Sequence, residues 1–464
     1  MSASSSLSVL RQAQCALHRS SAGPSTHIRA AVPSQQRYYA QKRIITQKPV
    51  VSGSYKGGKD GGDKIKDPRS KSKSGHPVFT PLPVSQLQDP IFQSDRRSET
   101  LDVEPFNPDL TTSAYVGNVV AFTPTETDPI RIFGVPTNVL LDHRIASKPL
   151  NVIRDVTVTT IDRLQAAAET PSSQTRLVMT GSAGCGKSVL LLQAVEYAEK
   201  TGWLVLYIPR AVSIVNSSTT HIYDLRTQTY HQPTFAYQTL MRFLTVNRDR
   251  LQNLKTTVDV PLDRRSTVPA GDGLVDLIEI GLRDPFLAPT VLTAVMEELE
   301  KQTSYPVLLA VDDFQALYCK TAYRDPHFIL IKPWHLSMPR LLLEYASGKK
   351  SFARGAVLGA VSAKTTHFKL PIELRKSLGL PDETPASRYT KMSKTALEYA
   401  QGLEALPVPE KLQMDEAASL FEAWAKDKAL NPEVSKDELF ISEYTAAAGN
   451  ARGFVKGLLT TLTL

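Results

Sequence analysis

TRLVMTGSAGCGKSVLLLQAVEYAEKTGW, residues 175–203, contains the change of pattern that decides the fold. Arg176 to Thr180 reads as a buried strand, and Val189 to Lys200 as an amphipathic helix ended by Gly202. Between them lies Gly181-Ser182-Ala183-Gly184-Cys185-Gly186-Lys187-Ser188, a complete G-x-x-x-x-G-K-S in the strand-to-helix setting that such a loop requires. Glycines at 181, 184 and 186 let the backbone curl until successive N–H groups face one concavity, which an anion can fill. The positive end of the following helix points at the same place. Lys187 supplies a charge for the outer phosphates of a nucleotide, Ser188 a hydroxyl ligand for magnesium, and Ser182, Ala183 and Cys185 complete the cradle with small side chains.

Such a loop needs a carboxylate on a neighbouring strand. Pro306 to Asp313, PVLLAVDD, supplies five apolar residues and then two acids: a fully buried parallel strand with Asp312 emerging at the ligand-binding end as the magnesium-side carboxylate. Asp313 takes the water-orienting position. Two further strands fit the same sheet, Trp203 to Ile208 and Gly355 to Val361; the second ends at Ser362, Lys364 and Thr365, with Ser362 placed to sense the outer phosphate. Strands alternating with helices predict an α/β fold: a P-loop NTPase parallel sheet with helices on both faces. The domain spans 141–410, with Lys187 and Asp312 separated by an insertion at about 209–287 that is larger than a strand-helix-strand connection needs. In it Tyr223, Tyr230, Phe235, Tyr237 and Phe243 interleave with Arg226, Arg242, Arg248 and Arg250, a mix that suits either RNA or protein docking or the core of a helical hairpin.

Outward from the domain, the 464 residues carry a net charge of +8, but unevenly. Residues 1–39 contain four arginines and no acid, residues 40–76 ten basic and three acidic residues, and the rest is slightly acidic at −3. A globular nucleic-acid binder is disfavoured, and a basic arm is favoured. Residues 1–39, rich in Ser and Ala with spaced arginines, have the composition of a mitochondrial transit peptide, with cleavage expected after Tyr39 in Arg37-Tyr38-Tyr39. Residues 40–76, dominated by Gly, Ser and Lys, read as a disordered basic arm that serves as a solvated linker or as a contact to RNA phosphates. Residues 77–140 form a Pro-rich extension, and a helical pattern begins near Leu150 and stops at Pro171. No apolar run is long enough to span a membrane, and Cys15, Cys185 and Cys319 form neither a disulfide framework nor a zinc-type pairing.

Near the C-terminus, LPVP (406–409) precedes a helix over 415–428 and LFISEYTAAAGNARGFVKGLL. Gly449-Asn450-Ala451-Arg452 resembles the second sensor of AAA-plus lid domains, which would let Arg452 reach the phosphates from a small helical lid at 411–464. The order of TGSAGCGKS, WLVLYIP, the long insertion, PVLLAVDDFQALY and a helical lid resembles the death-associated-protein-three family of the mitochondrial small ribosomal subunit, over roughly residues 140–464. That resemblance implies an AAA-plus-like, GTP-binding structural component of the mitoribosome in the mitochondrial matrix. It also implies contacts to small-subunit rRNA and to other mitoribosomal proteins near the subunit interface, and it turns the reading of the basic arm towards RNA. Carried over by residue, the phosphate role falls on Gly181, Gly184, Gly186, Lys187 and Ser188, and the metal role on Asp312.

The base is left open between guanine and adenine. No Asn-Lys-x-Asp motif is present, and Ser362-Ala363-Lys364 is too short to count, so the expected ligand is GTP or ATP, or the diphosphate, with Mg2+. Asp313 stands where many hydrolytic AAA-plus proteins carry Glu, and its shorter reach predicts slow turnover or none. The leading expectation is therefore a ribosomal protein that uses nucleotide as structural cement. The alternative is a free switch-type mitochondrial NTPase in signalling; a nucleic-acid motor or clamp loader is disfavoured by the −3 body.

Overall fold

The computed structural model describes residues 101–464 apart from 263–266, 364–366, 382–390, 428, 431–434 and 462–464. The expected transit peptide, basic arm and first part of the Pro-rich extension, together with Lys364 and Thr365, lie outside the described residues.

Five parallel strands form the centre: β1 (Arg176–Thr180), β2 (Leu204–Ile208), β3 (Val307–Asp312), β4 (Gly355–Ala360) and β5 (Glu404–Pro407), in the order β5-β1-β4-β3-β2. Every residue of β2, β3 and β4 is buried. Such continuous burial requires cover on both faces, and it explains the unbroken apolar runs in the sequence. Because β4 pairs with β1 on one side and β3 on the other, Ala360 lies opposite both Met179 and Asp312. The carboxyl ends of the three strands thus reach one edge together.

Helices of eight residues or more are α1 (Thr137–Ile145), α2 (Asp155–Ala167), α3 (Lys187–Lys200), α4 (Pro233–Leu251), α5 (Leu274–Arg283), α6 (Ala288–Lys301), α7 (Ser337–Ala346), α8 (Met414–Lys426), α9 (Lys436–Ala446) and α10 (Ala451–Thr461). α3, nearly all buried, packs on β2, β3 and β4, with α2 beside it. The pattern near Leu150 resolves differently from a single helix. Leu150–Val152 pairs antiparallel with Val119–Ala121, and α2 begins only at Asp155. Apolar residues spaced for a helix included a short strand whose partner lies thirty residues upstream, which no local periodicity reports.

The insertion contains a hairpin, Ile222–Asp224 with Thr229–His231, followed by α4 and α5, which pack on each other and on α6 just beyond it. Phe235 and Phe243 are core residues, whereas Tyr223 and Arg226 are exposed on the hairpin. α8, α9 and α10 bury a second, smaller core of Leu420, Phe421, Trp424, Leu439, Phe454 and Leu458. Among the described residues no helix is long and apolar enough to cross a membrane.

Candidate functional site

The loop between β1 and α3 has the backbone that its glycines permit. Gly181, Gly184 and Gly186 all have positive φ, at 140°, 84° and 101°. Gly184 is also held by space: a Cβ there would stand 2.5 Å from Asn450 Oδ1 and 2.9 Å from Arg452 Cβ. Gly186 is the last residue before α3, whose first-turn N–H groups face the loop. Lys187 is buried, and its Nζ donates to the carbonyls of Gly181 (2.9 Å) and Ser182 (2.5 Å), spanning the loop from within. Cys185 is buried beside it, its Sγ 3.5 Å from Lys187 Nζ.

Ser188, in the first turn of α3, lies beside Asp312 at the end of β3. Burial, then the neighbouring charge of Asp313, push the Asp312 carboxyl up to about 7, against the nearby Ser188 hydroxyl, the hydrogen bond from the Asp313 N–H (2.8 Å) and the charge of Lys187. Asp313 sits in the left-handed region at φ 56°. Tyr207, on β2, is fully buried, and among the described residues its hydroxyl has no hydrogen-bond partner. Burial, followed by the charges of Asp312 and Asp313, raises its pKa well above the usual phenol value. The adjacent carboxylates of buried Asp312 and half-buried Asp313, with the Ser188 hydroxyl nearby, are oxygen donors that fit a hard cation, whose charge would offset their repulsion. Among the described residues no three His, Cys, Asp or Glu side chains cluster to hold a metal by themselves. Magnesium here would thus depend on phosphate oxygens and water, as it commonly does.

Ser362, beyond β4, is fixed by a residue that sequence reasoning missed. Gln315, buried after β3, donates to the Ser362 carbonyl (2.7 Å) and accepts from its N–H (3.0 Å). From the C-terminal helices, the Arg452 N–H donates to the Gly184 carbonyl (3.0 Å) and Asn450 Nδ2 to that of Ala183 (2.9 Å), so α10 begins on the loop itself.

Arg154 was also missed. Just before α2, its guanidinium donates to the Cys185 carbonyl (3.0 Å), to the Lys411 carbonyl (2.9 Å) and to Glu416 of α8 (3.2 Å). It joins the loop to the C-terminal helices. A lone arginine at a helix start carries no local signal of three partners up to 262 positions away.

These elements enclose a cavity of about 480 Å³, of the size that small-molecule sites have. Ala183, Gly184, Cys185, Gly186, Lys187, Ser188, Ser362 and Arg452 line it, whereas Gly181, Ser182, Asp312 and Asp313 do not. Asn138, Val139, Asp142 and His143 of α1 also line it, as do Leu420, Trp424 and Val455 of the C-terminal helices.

The family model for "Mitochondrial ribosomal death-associated protein 3" matches residues 151–457, about two-thirds of the chain. The chain belongs to this family. Two fungal relatives, both named small ribosomal subunit protein mS29, are 26% identical over 306 residues (Schizosaccharomyces pombe) and 27% identical over 354 residues (Neurospora crassa). The matches cover 65% and 74% of this chain, and 62% and 74% of those proteins. The mouse protein of the same name is 28% identical over 208 residues, covering 43% of this chain and 53% of the mouse protein. The family match takes in the whole glycine-rich loop, β3, Ser362 and Arg452, but begins after α1, so Asn138 and Asp142 belong to a part of the cavity outside it.

Proposed function

We propose that this family member is a structural component of the small subunit of the mitochondrial ribosome, located in the mitochondrial matrix, and that it holds a purine nucleotide with magnesium as part of its folded structure. The printed names of the relatives support the ribosomal part. The observation that carries the nucleotide part is the placing of Ser188, at the start of α3, beside Asp312 at the end of β3, beneath a glycine-rich loop with three positive-φ glycines. It brings the hydroxyl and carboxylate that a magnesium-bound nucleotide needs to the mouth of one helix. The strand order, with the loop-bearing β1 and the acid-bearing β3 on either side of β4, supports a P-loop NTPase fold of AAA-plus type.

In this reading the loop N–H groups of residues 181–188 cradle the phosphates, and Lys187 leaves its two carbonyls to pair with them. Ser188 and Asp312 hold the magnesium ion, and Arg452 approaches from α10. Asp313 is short and in a strained backbone region, so hydrolysis is slow and the ligand serves mainly as cement. Binding only to the native state would stabilise the chain by about 4 kcal/mol at a thousandfold excess over Kd. The exposed hairpin residues Ile222, Tyr223, Leu225 and Arg226 offer a surface for neighbouring proteins or rRNA, and the ten basic residues of 40–76 offer positive charge for RNA phosphates.

Calorimetric titration of the full chain with magnesium and GDP or ADP tests the nucleotide assignment. Binding by at least one of them, lost in Lys187→Ala with the fold retained, is the expected result. Absence of heat with guanine and adenine nucleotides alike contradicts it.

A further inference from the structure

The lining of the cavity contains an acid, Asp142, that the phosphate site does not use. Asn138 and Asp142, four residues apart on α1, fall on one helix face, and both line the cavity. Among the described residues no hydrogen bond or ion pair is made to the Asp142 carboxylate, and the charge that acts on it is that of Arg452. The same cavity is lined by the apolar Val139, Val152 and Trp424. A carboxylate partly withdrawn from water is costly unless donors reach it, and among the described residues none is hydrogen-bonded to it.

A nucleotide whose phosphates sit on residues 181–188 extends its nucleoside into this space. Among purine edges, guanine presents two adjacent donors, N1–H and N2–H2, which match the two oxygens of a carboxylate. Adenine offers one amino donor beside a ring acceptor that a carboxylate repels. We propose that Asp142 is the base-reading residue, accepting N1–H and N2–H2 of guanine, and that it sets a preference for guanine over adenine. This rests on the nucleotide reading above.

The test is equilibrium binding of GDP, ADP and xanthosine diphosphate, each with magnesium, to the full chain and to Asp142→Asn. The wild type is expected to bind GDP more tightly than ADP. In D142N, GDP should weaken about tenfold to a hundredfold while ADP changes little, because a site built around a hydrogen bond discriminates strongly against its loss. Xanthosine diphosphate should strengthen in D142N, since an asparagine amide donates to the C2 carbonyl of xanthine while its oxygen accepts from N1–H. Equal loss of GDP and ADP in D142N overturns the proposal and gives the carboxylate to the ribose hydroxyls. ADP binding as tightly as GDP to the wild type overturns the base assignment alone. If none of the three binds the wild type, the nucleotide reading fails with it.

Discussion

Arg154 shows how much one side chain can decide. Its guanidinium and Glu416 are both largely buried, and it also donates to three backbone carbonyls, those of Cys185, Pro409 and Lys411. Removing it leaves a buried carboxylate unpaired, which costs about 3–5 kcal/mol. Arg154→Ala is therefore expected to lower stability by that amount in chemical denaturation and to weaken nucleotide binding, while Arg163→Ala, whose partner Glu404 is half exposed, shifts stability by less than about 1 kcal/mol. Glu196 makes a prediction about pH. It is fully buried in α3, and among the described residues neither oxygen has a hydrogen-bond partner; burial, then the charge and close side chain of Asp128, raise its pKa well above 4.5, with Lys200 opposing and Glu199 adding to the rise. The folded state thus keeps its proton where the unfolded chain releases it. That stability is fully present in acid and is lost as pH climbs from 4.5 towards the raised value. Glu196→Gln should raise the melting temperature by a few degrees at about pH 8.5 and much less at about pH 5. An equal effect at both pH values would exclude titration of Glu196 as the cause.

At the scale of elements, the sheet was legible because its strands are buried on both faces. Val307 to Val311 and Leu204 to Ile208 are unbroken apolar runs, and the strands that contain them, Val307–Asp312 and Leu204–Ile208, lie within one residue of their expected bounds. Leu309, fully buried in β3, should cost about 2–5 kcal/mol as Leu309→Ala, read from denaturant midpoints. The loop glycines were legible for a similar reason, since three positive-φ positions leave few other residues to choose. What the sequence did not show is what touches the loop from elsewhere. Gln315 clamping Ser362, Asn450 on Ala183 and Arg154 across Cys185 are single polar residues whose partners lie 31 to 267 positions away. Their roles come from topology, not from any local pattern. Gly184→Ala tests one such contact. The added Cβ would meet Asn450 and Arg452, so the substitution should displace α10 from the loop and weaken nucleotide binding about tenfold or more, measured by titration beside a normal far-ultraviolet circular dichroism spectrum.

For the whole molecule, the decisive features are the distribution of charge and the closure of one cavity by distant segments. The excess positive charge resides in residues 1–76, whereas the remainder is slightly acidic, an arrangement suited to a folded body anchored through an extension. The cavity is built from the loop, α1, the end of β4 and the C-terminal helices, so a ligand in it ties together segments from both ends of the described chain. The most direct measurement is sedimentation of the tagged chain from mitochondrial lysate through a gradient at low magnesium, where ribosomal subunits separate, with Lys187→Ala run in parallel. The account predicts that the wild type migrates with the small subunit and that the variant is depleted from it. Wild-type chain remaining at the top of the gradient, or the variant assembling normally despite failing to bind nucleotide, would contradict it.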